Sequence, residues 1–343
     1  NSVNFQQARS GGCWTLPSTA SMFTGMMPHQ HRTTSQTRRL PEEIPTIADK
    51  LRKAGYQPIQ VTGNIVTTDI FGLDRSFDHT YKIWNHVKPR LNRLPRMLMM
   101  LSRPRVRKEI MAGEFGKEKV ESYLNAGNVW AQHTHQDIFD MTQSIIKENE
   151  AKNQKSFLFL NLMESHFPYH VDSTFQVSAP SLPSQLSELL GLYHMVNMSF
   201  LKKEQPFIKK RTQRILKNRQ RRSWRLIRKN LDAFVQKMHQ DKDNLIVFAA
   251  DHGDNFGEQD WFYHFSNVTD AGNHVPLFWL DHDHNHSSPK IEDRPVSLNS
   301  LHNSILQACG MDYEGTTLFD DEANSIPVLQ SYWYNNHGKT LDK

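Results

Sequence analysis

Residues 244–253 read Asn-Leu-Ile-Val-Phe-Ala-Ala-Asp-His-Gly. Leu245–Ala250 are apolar without interruption, and Asn244 bounds the run. A short run of this kind, with no polar alternation, predicts a strand buried on both faces, as in a parallel sheet covered by helices. A carboxylate, an imidazole and a glycine follow where the backbone must turn. The strand therefore brings Asp251 and His252 to its C-terminal end, the edge at which open α/β sheets bind ligands.

Working outward, the same arrangement recurs. Ser156–Met163, Ser-Phe-Leu-Phe-Leu-Asn-Leu-Met, predicts a second buried strand, followed by Glu164-Ser-His166. Tyr56–Thr62 predicts a third, ending at Gly63-Asn64. Ile44, Ile47, Ala48, Leu51 and Ala54 have helical spacing before Gly55, a natural stop, and residues 130–151 read as an amphipathic helix. Helix–strand alternation predicts an α/β fold with a mostly parallel central sheet covered by helices on both faces. Asn64, His166 and the Asp251–His252 pair each follow a predicted strand, and His264 lies in the next loop. A lone His166 is more often a structural histidine. Asp-His-Gly after a buried strand is the stronger signal, because carboxylate plus imidazole suits a divalent cation. The expected partition is a single domain over 1–343, with an insertion at about 85–125.

Composition bounds the function. Of 343 residues, 22% are charged and 37% hydrophobic, which excludes a disordered chain. Cys13 and Cys309 make neither a disulfide framework nor a four-ligand zinc site. No apolar run reaches the ~20 residues of a membrane helix. The chain starts at Asn1 without a signal-peptide pattern, so it is expected to be a fragment or processed product whose localisation is open. The net charge of +5 is uneven: Lys202–Lys229 holds thirteen Lys or Arg against one Glu, a local balance of +12. This stretch has helical character after Pro206. It reads either as a solvated helix face or as a docking surface for an anionic partner. No nucleic-acid motif accompanies it. A second basic stretch, Lys88–Lys108, is interrupted by three prolines, and its Met-rich centre is expected to serve the core.

Near the N-terminus, Cys13–Gly25 reads Cys-Trp-Thr-Leu-Pro-Ser-Thr-Ala-Ser-Met-Phe-Thr-Gly, followed by Pro-His-Gln-His. This stretch, with the 46–64 helix–strand unit, Phe71–Tyr81, Phe157–Tyr169 and Leu245–Trp279, resembles in order and spacing the sulfatase branch of the alkaline-phosphatase superfamily. Pro17, Ser18, Thr24 and Gly25 fall on the family's Pro, Ser, Thr and Gly, so Thr15 stands at the nucleophile position and Cys13 is left as a buried thiol. In typical sulfatases that position is Cys or Ser, converted to formylglycine. A threonine cannot be converted, so no formylglycine is expected. Thr19 replaces the family's Arg.

The resemblance implies a metal-dependent hydrolase of sulfate esters. Thr15, His166 and His264 would be catalytic, and Asn64, His166 and His264 would hold the substrate. Asp251, His252 and Thr15 would bind one divalent ion, Ca²⁺ or Mn²⁺ before Mg²⁺ or Zn²⁺. A phosphodiesterase, phosphonate-ester hydrolase or phosphotransferase of the same superfamily is the alternative, motivated by Thr15 and Thr19. A rival of another class is a non-catalytic binder of an anionic polymer. Expected partners are a sulfated or phosphorylated small molecule, glycan or lipid headgroup, with no specific nucleic acid. The oligomeric state is open. The family also has a pair of acidic metal ligands on a strand upstream of the nucleophile, whereas residues 1–14 contain no Asp or Glu. The family's first strand, with its acidic pair, is therefore expected to be missing from residues 1–343, which alone should bind metal weakly, hydrolyse little and, through the strand edges left exposed, tend to aggregate.

Overall fold

The computed structural model describes residues 2–88, 110–113, 116–126, 134–167, 169, 206–264, 268–282 and 290–320. The basic stretch at 89–108, residues 202–205 of the second one, and most of the expected insertion lie outside them.

Nine strands occur in the described residues: β1 (Val3–Arg9), β2 (Gln57–Thr62), β3 (His79–Lys82), β4 (Ser156–Asn161), β5 (Ile246–Ala249), β6 (Asn255–Phe256), β7 (Phe262–Tyr263), β8 (Leu277–Leu280) and β9 (Lys290–Ser297). The helices are α1 (Thr15–Thr24), α2 (Pro28–His31), α3 (Ile47–Lys53), α4 (Lys117–Ala126), α5 (His135–Ala151), α6 (Pro206–Met238), α7 (Asp270–Asn273) and α8 (Ser300–Ala308). The three strands expected from apolar runs are present as β2, β4 and β5.

They do not share one sheet. β3-β2-β4 form a parallel sheet, with Val61 opposite both Tyr81 and Leu160. β5-β8-β1-β9 form a second, mixed sheet: β1 is parallel to β9, and β8 is antiparallel to both β1 and β5. β6 and β7 make a small hairpin.

Three large clusters and a small one of Tyr169, Leu216 and Phe256 form the core of the described residues. Ile59, Val61 and Ile83 meet Ile138 and Phe139 of α5, with Leu231 and Phe234 of α6 at the margin. Leu16, Ala20 and Phe23 of α1 pack with Leu51 of α3 and Leu306 of α8. Phe5 and Ala8 of β1 pack with Leu277, Trp279 and Val296. α3 starts where the sequence offers a cap: the Asp49 carboxylate accepts from the Thr46 N–H at 2.8 Å, and the Thr46 hydroxyl accepts from Asp49 N–H at 3.4 Å.

Candidate active site

Four strands aim their C-terminal ends at one place. β1 runs through Ser10 into α1, whose first residue is Thr15. β2 ends before Asn64, β4 before His166, and β5 before Asp251 and His252.

Thr15 is 4% exposed at the N-terminus of α1, where unpaired N–H groups and the helix dipole favour an anion. Its first turn has no acidic residue to compete. The Asn64 amide stands 3.5 Å from Thr15 Oγ1, and His252 Nε2 is 3.3 Å from the same oxygen. Asn64 is fixed in turn, since its Oδ1 accepts the Val66 N–H at 2.9 Å.

The Asp-His-Gly turn is held from several sides. The Ser18 hydroxyl donates to the Asp251 carbonyl at 2.5 Å, and Ser10 Oγ lies 2.8 Å from Ser18 Oγ and 2.5 Å from that carbonyl. Gly253 has to be glycine because a Cβ would stand 2.2 Å from the Ala271 carbonyl oxygen. His252 Nδ1 donates to the Gly253 carbonyl at 2.9 Å. That bond places the ring proton on Nδ1 and leaves the Nε2 lone pair facing Thr15, the orientation a metal-ligating imidazole takes.

Asp254 and Tyr169 join the site without having been singled out in the sequence. Asp254 Oδ1 accepts from His264 Nδ1 at 2.6 Å, and Asp254 Oδ2 accepts from the Tyr169 hydroxyl at 2.7 Å. The only sequence signal was a second carboxylate directly after Asp-His-Gly. Burial raises the Asp254 pKa above its usual range, while the neighbouring His252 and His166 oppose that shift. Burial, then the neighbouring His252, holds His264 well below the ordinary imidazole range. Burial, then His264, brings His166 down to about 4. Both rings are therefore neutral near pH 7. The His264 ring lies 4.2 Å from that of His252 and 5.3 Å from that of His166. His166 Nδ1 donates to the Phe167 carbonyl at 2.7 Å, and its Nε2 faces the Tyr263 hydroxyl at 3.3 Å. Tyr263 has φ 66°, a left-handed conformation unusual for an aromatic residue.

Two donor sets are available for a cation. His252, Asp254 and His264 offer atoms within 4.8 Å of one another. Both Asp254 oxygens, however, are already engaged by His264 and Tyr169. In the second set, Asp251 Oδ2 and Thr15 Oγ1 lie 3.6 and 3.3 Å from His252 Nε2, a mixed oxygen and nitrogen cluster of the kind divalent cations take.

The sulfatase family profile matches residues 1–311. The chain belongs to the sulfatase family. Solved structures that share the fold include three of different stated activity. A phosphonate monoester hydrolase from Silicibacter pomeroyi superposes with a TM-score of 0.57 at 16% identity, covering 93% of this chain and 69% of its own. A 2-O GAG sulfatase gives 0.56 at 16% identity, covering 97% and 70%. The soluble domain of lipooligosaccharide phosphoethanolamine transferase A from Neisseria meningitidis gives 0.53 at 14% identity, covering 90% and 76%. The chain spans between 65% and 70% of the length of the first such sulfatase-fold neighbours. No curated protein matches it in sequence. As in the expected α/β class of this family, helices flank the sheets, although the larger sheet is mixed rather than wholly parallel. No described helix is long and apolar enough to cross a membrane.

Proposed function

We propose that this chain is a metal-dependent ester hydrolase that attacks a singly charged tetrahedral ester through Thr15, with a sulfate monoester as the leading substrate. The observation that carries this is Thr15 Oγ1, at the N-terminus of α1 and between Asn64 and His252. A neutral hydroxyl is a poor nucleophile and needs activation. Asp251, His252 and Thr15 would hold a divalent cation, which supplies Lewis-acid polarisation of the ester oxygens and eases deprotonation of the hydroxyl.

The remaining chemistry belongs to the side chains. Thr15 Oγ1 forms a bond to sulfur or phosphorus as the bond to the leaving oxygen breaks. Asn64 and the first N–H groups of α1 hold the non-bridging oxygens. His264, with Nδ1 donating to Asp254, offers a free Nε2 as base: it takes the Thr15 proton as the new bond forms and passes it to the leaving oxygen, then takes a proton from the water that cleaves the Thr15 ester and returns it to Thr15 Oγ1.

Neutral His166 and His264, a neutral amide and one cation offset by Asp251 suit one negative charge better than two. A sulfate monoester and a phosphodiester each carry one, whereas a phosphate monoester carries two near neutral pH. The phosphodiester is the second reading, favoured by unmodified Thr15 and by Thr19, fully buried where the resemblance sets a cation. The phosphonate hydrolase and phosphoethanolamine transferase among the fold's neighbours agree with it.

The test is a panel of aryl sulfate, aryl phosphate and bis-aryl phosphodiester, with Thr15→Ala and Cys13→Ser beside the native chain. Turnover of the sulfate or the diester above the monoester, lost in Thr15→Ala and kept in Cys13→Ser, is expected. A preference for the phosphate monoester would overturn the charge argument. Activity that survives Thr15→Ala would overturn the nucleophile.

A further inference from the structure

We infer that α6 carries an exosite for a linear polyanionic polysaccharide, whose sulfate or phosphate esters are presented to the Thr15 site; this rests on the ester-hydrolase reading above. Lys210, Arg214, Lys217, Arg221, Arg225 and Arg228 recur at steps of four, three, four, four and three. At about 100° per residue they fall within an arc of about 80°, and the 18 steps from Lys210 to Arg228 cover about 27 Å. Leu216, Ser223 and Ile227, on the opposite side of the helix, are buried. All six cations except half-exposed Lys217 are exposed. The stripe is therefore a cationic line facing solvent, closed at its end by Asp232, which pairs with Arg228 at 3.4 Å.

The helix that carries this line packs against the candidate site with its opposite face, and Lys217 at the margin of the line reaches the loop that follows Asp254. Lys217 pairs with Glu258 at 2.6 Å, and Glu258 accepts the Phe256 N–H, also at 2.6 Å. Leu216, the neighbouring residue, packs with Tyr169 and Phe256. Tyr169 in turn holds Asp254, the partner of His264.

The chemistry of the face selects the occupant. Insertion into a membrane needs apolar side chains on the exposed face. The exposed large hydrophobic residues of the described chain are Met111, Val268 and Ile291, none of them on α6. Single-stranded nucleic acid needs aromatic platforms. Trp224 and Phe234 of α6 instead contact Phe248 and Phe139 of the core. Among the described side chains of α6 neither feature occurs, and a rod of positive charges of this kind fits a regularly charged, extended glycan, held through released counterions.

The experiment compares the native chain, Arg221→Gln/Arg225→Gln/Arg228→Gln, and a control with the same charge change elsewhere, Lys53→Gln/Lys147→Gln/Lys152→Gln. Binding to heparin, to a phosphomannan, to a single-stranded oligonucleotide and to phosphatidylglycerol vesicles is measured across a salt series. Turnover of a small aryl ester is followed in parallel. The expected result is salt-sensitive binding of one or both polysaccharides. It weakens about tenfold or more in the stripe variant, with a shallower salt slope, and is unchanged in the control. Small-ester turnover is the same in all three. Heparin against phosphomannan identifies the ester class. Equal loss in the control, undiminished binding by the stripe variant, or binding of only oligonucleotide or vesicles would overturn the inference. If no small ester is turned over while stripe-dependent polysaccharide binding persists, the hydrolase reading fails and the exosite stands alone.

Discussion

Among single residues, Asp254 carries the most specific consequence. Its two oxygens take the His264 Nδ1 proton and the Tyr169 hydroxyl proton. It therefore acts through His264 rather than on the substrate, fixing the tautomer in which Nε2 is free. Asp254→Asn replaces one acceptor oxygen by an amide that donates, so it cannot satisfy both partners and releases the ring. General acid–base assistance of this kind is worth about 10²- to 10⁴-fold. We expect kcat to fall about 10²-fold on esters with poor leaving groups, with KM nearly unchanged and much less loss on 4-nitrophenyl esters, which leave without a proton. An equal loss across leaving groups would reduce Asp254 to a packing role. The positions of Thr15, Asn64, His166, Asp251, His252 and His264 could be read from the chain, because each follows a strand or belongs to the Cys13–Gly25 signature. Asp254 and Tyr169 could not. Their bonds connect segments 85 residues apart in one case and only ten in the other, and no local pattern reports such a pairing.

At the level of elements, α1 is held in place by two buried histidines. His31 receives the Thr33 N–H on Nδ1 at 3.0 Å and so donates from Nε2 to Ser21, also at 3.0 Å. His302 Nδ1 donates to the Phe23 carbonyl at 2.9 Å, and its ring lies against Gly25, the left-handed C-cap of α1. Burial lowers both pKa values to about 4 from 6.5. Between these values the unfolded chain binds protons that the folded chain does not, so stability is intact above about pH 6.5 and falls as the pH drops towards about 4, by an order of 3 kcal/mol per histidine at most. The urea midpoint should decline through this range, and His31→Asn/His302→Asn should flatten the decline between pH 5.5 and 6.5. An equally steep curve in the double variant would show that other groups carry it. Elements whose pattern was local were legible: α3 from its spacing and cap, and β2, β4 and β5 from apolar runs. β9 was not, because Lys290–Ser297 is a largely exposed flank with charged side chains, and its pairing with β1 is fixed by contacts nearly 290 residues apart.

For the whole molecule, the telling feature is that the sheet is divided. Among the described residues, β4 pairs with β2 on one side and β5 with β8 on one side, and each ends its sheet. Yet both have the composition of interior strands. Phe157, Leu158, Phe159 and Leu160 put apolar side chains on both faces, as do Ile246, Val247 and Phe248, and every residue of the two strands is only half-buried. Natural edge strands are instead blunted with charge, proline or a bulge. Both edges therefore favour a further strand, and at high concentration a second copy of this chain can supply one. In an edge strand, residues whose N–H points away from the neighbour have no ladder partner, so alternate amides should exchange quickly. We expect hydrogen exchange at low concentration to protect β2 throughout, while β4 and β5 show alternate fast amides. As concentration rises, those amides should become protected together with the appearance of heavier species in sedimentation. Uniform protection of β4 and β5 in a dilute monomer would mean that a segment outside the described residues already covers the edges, and self-association should then be absent.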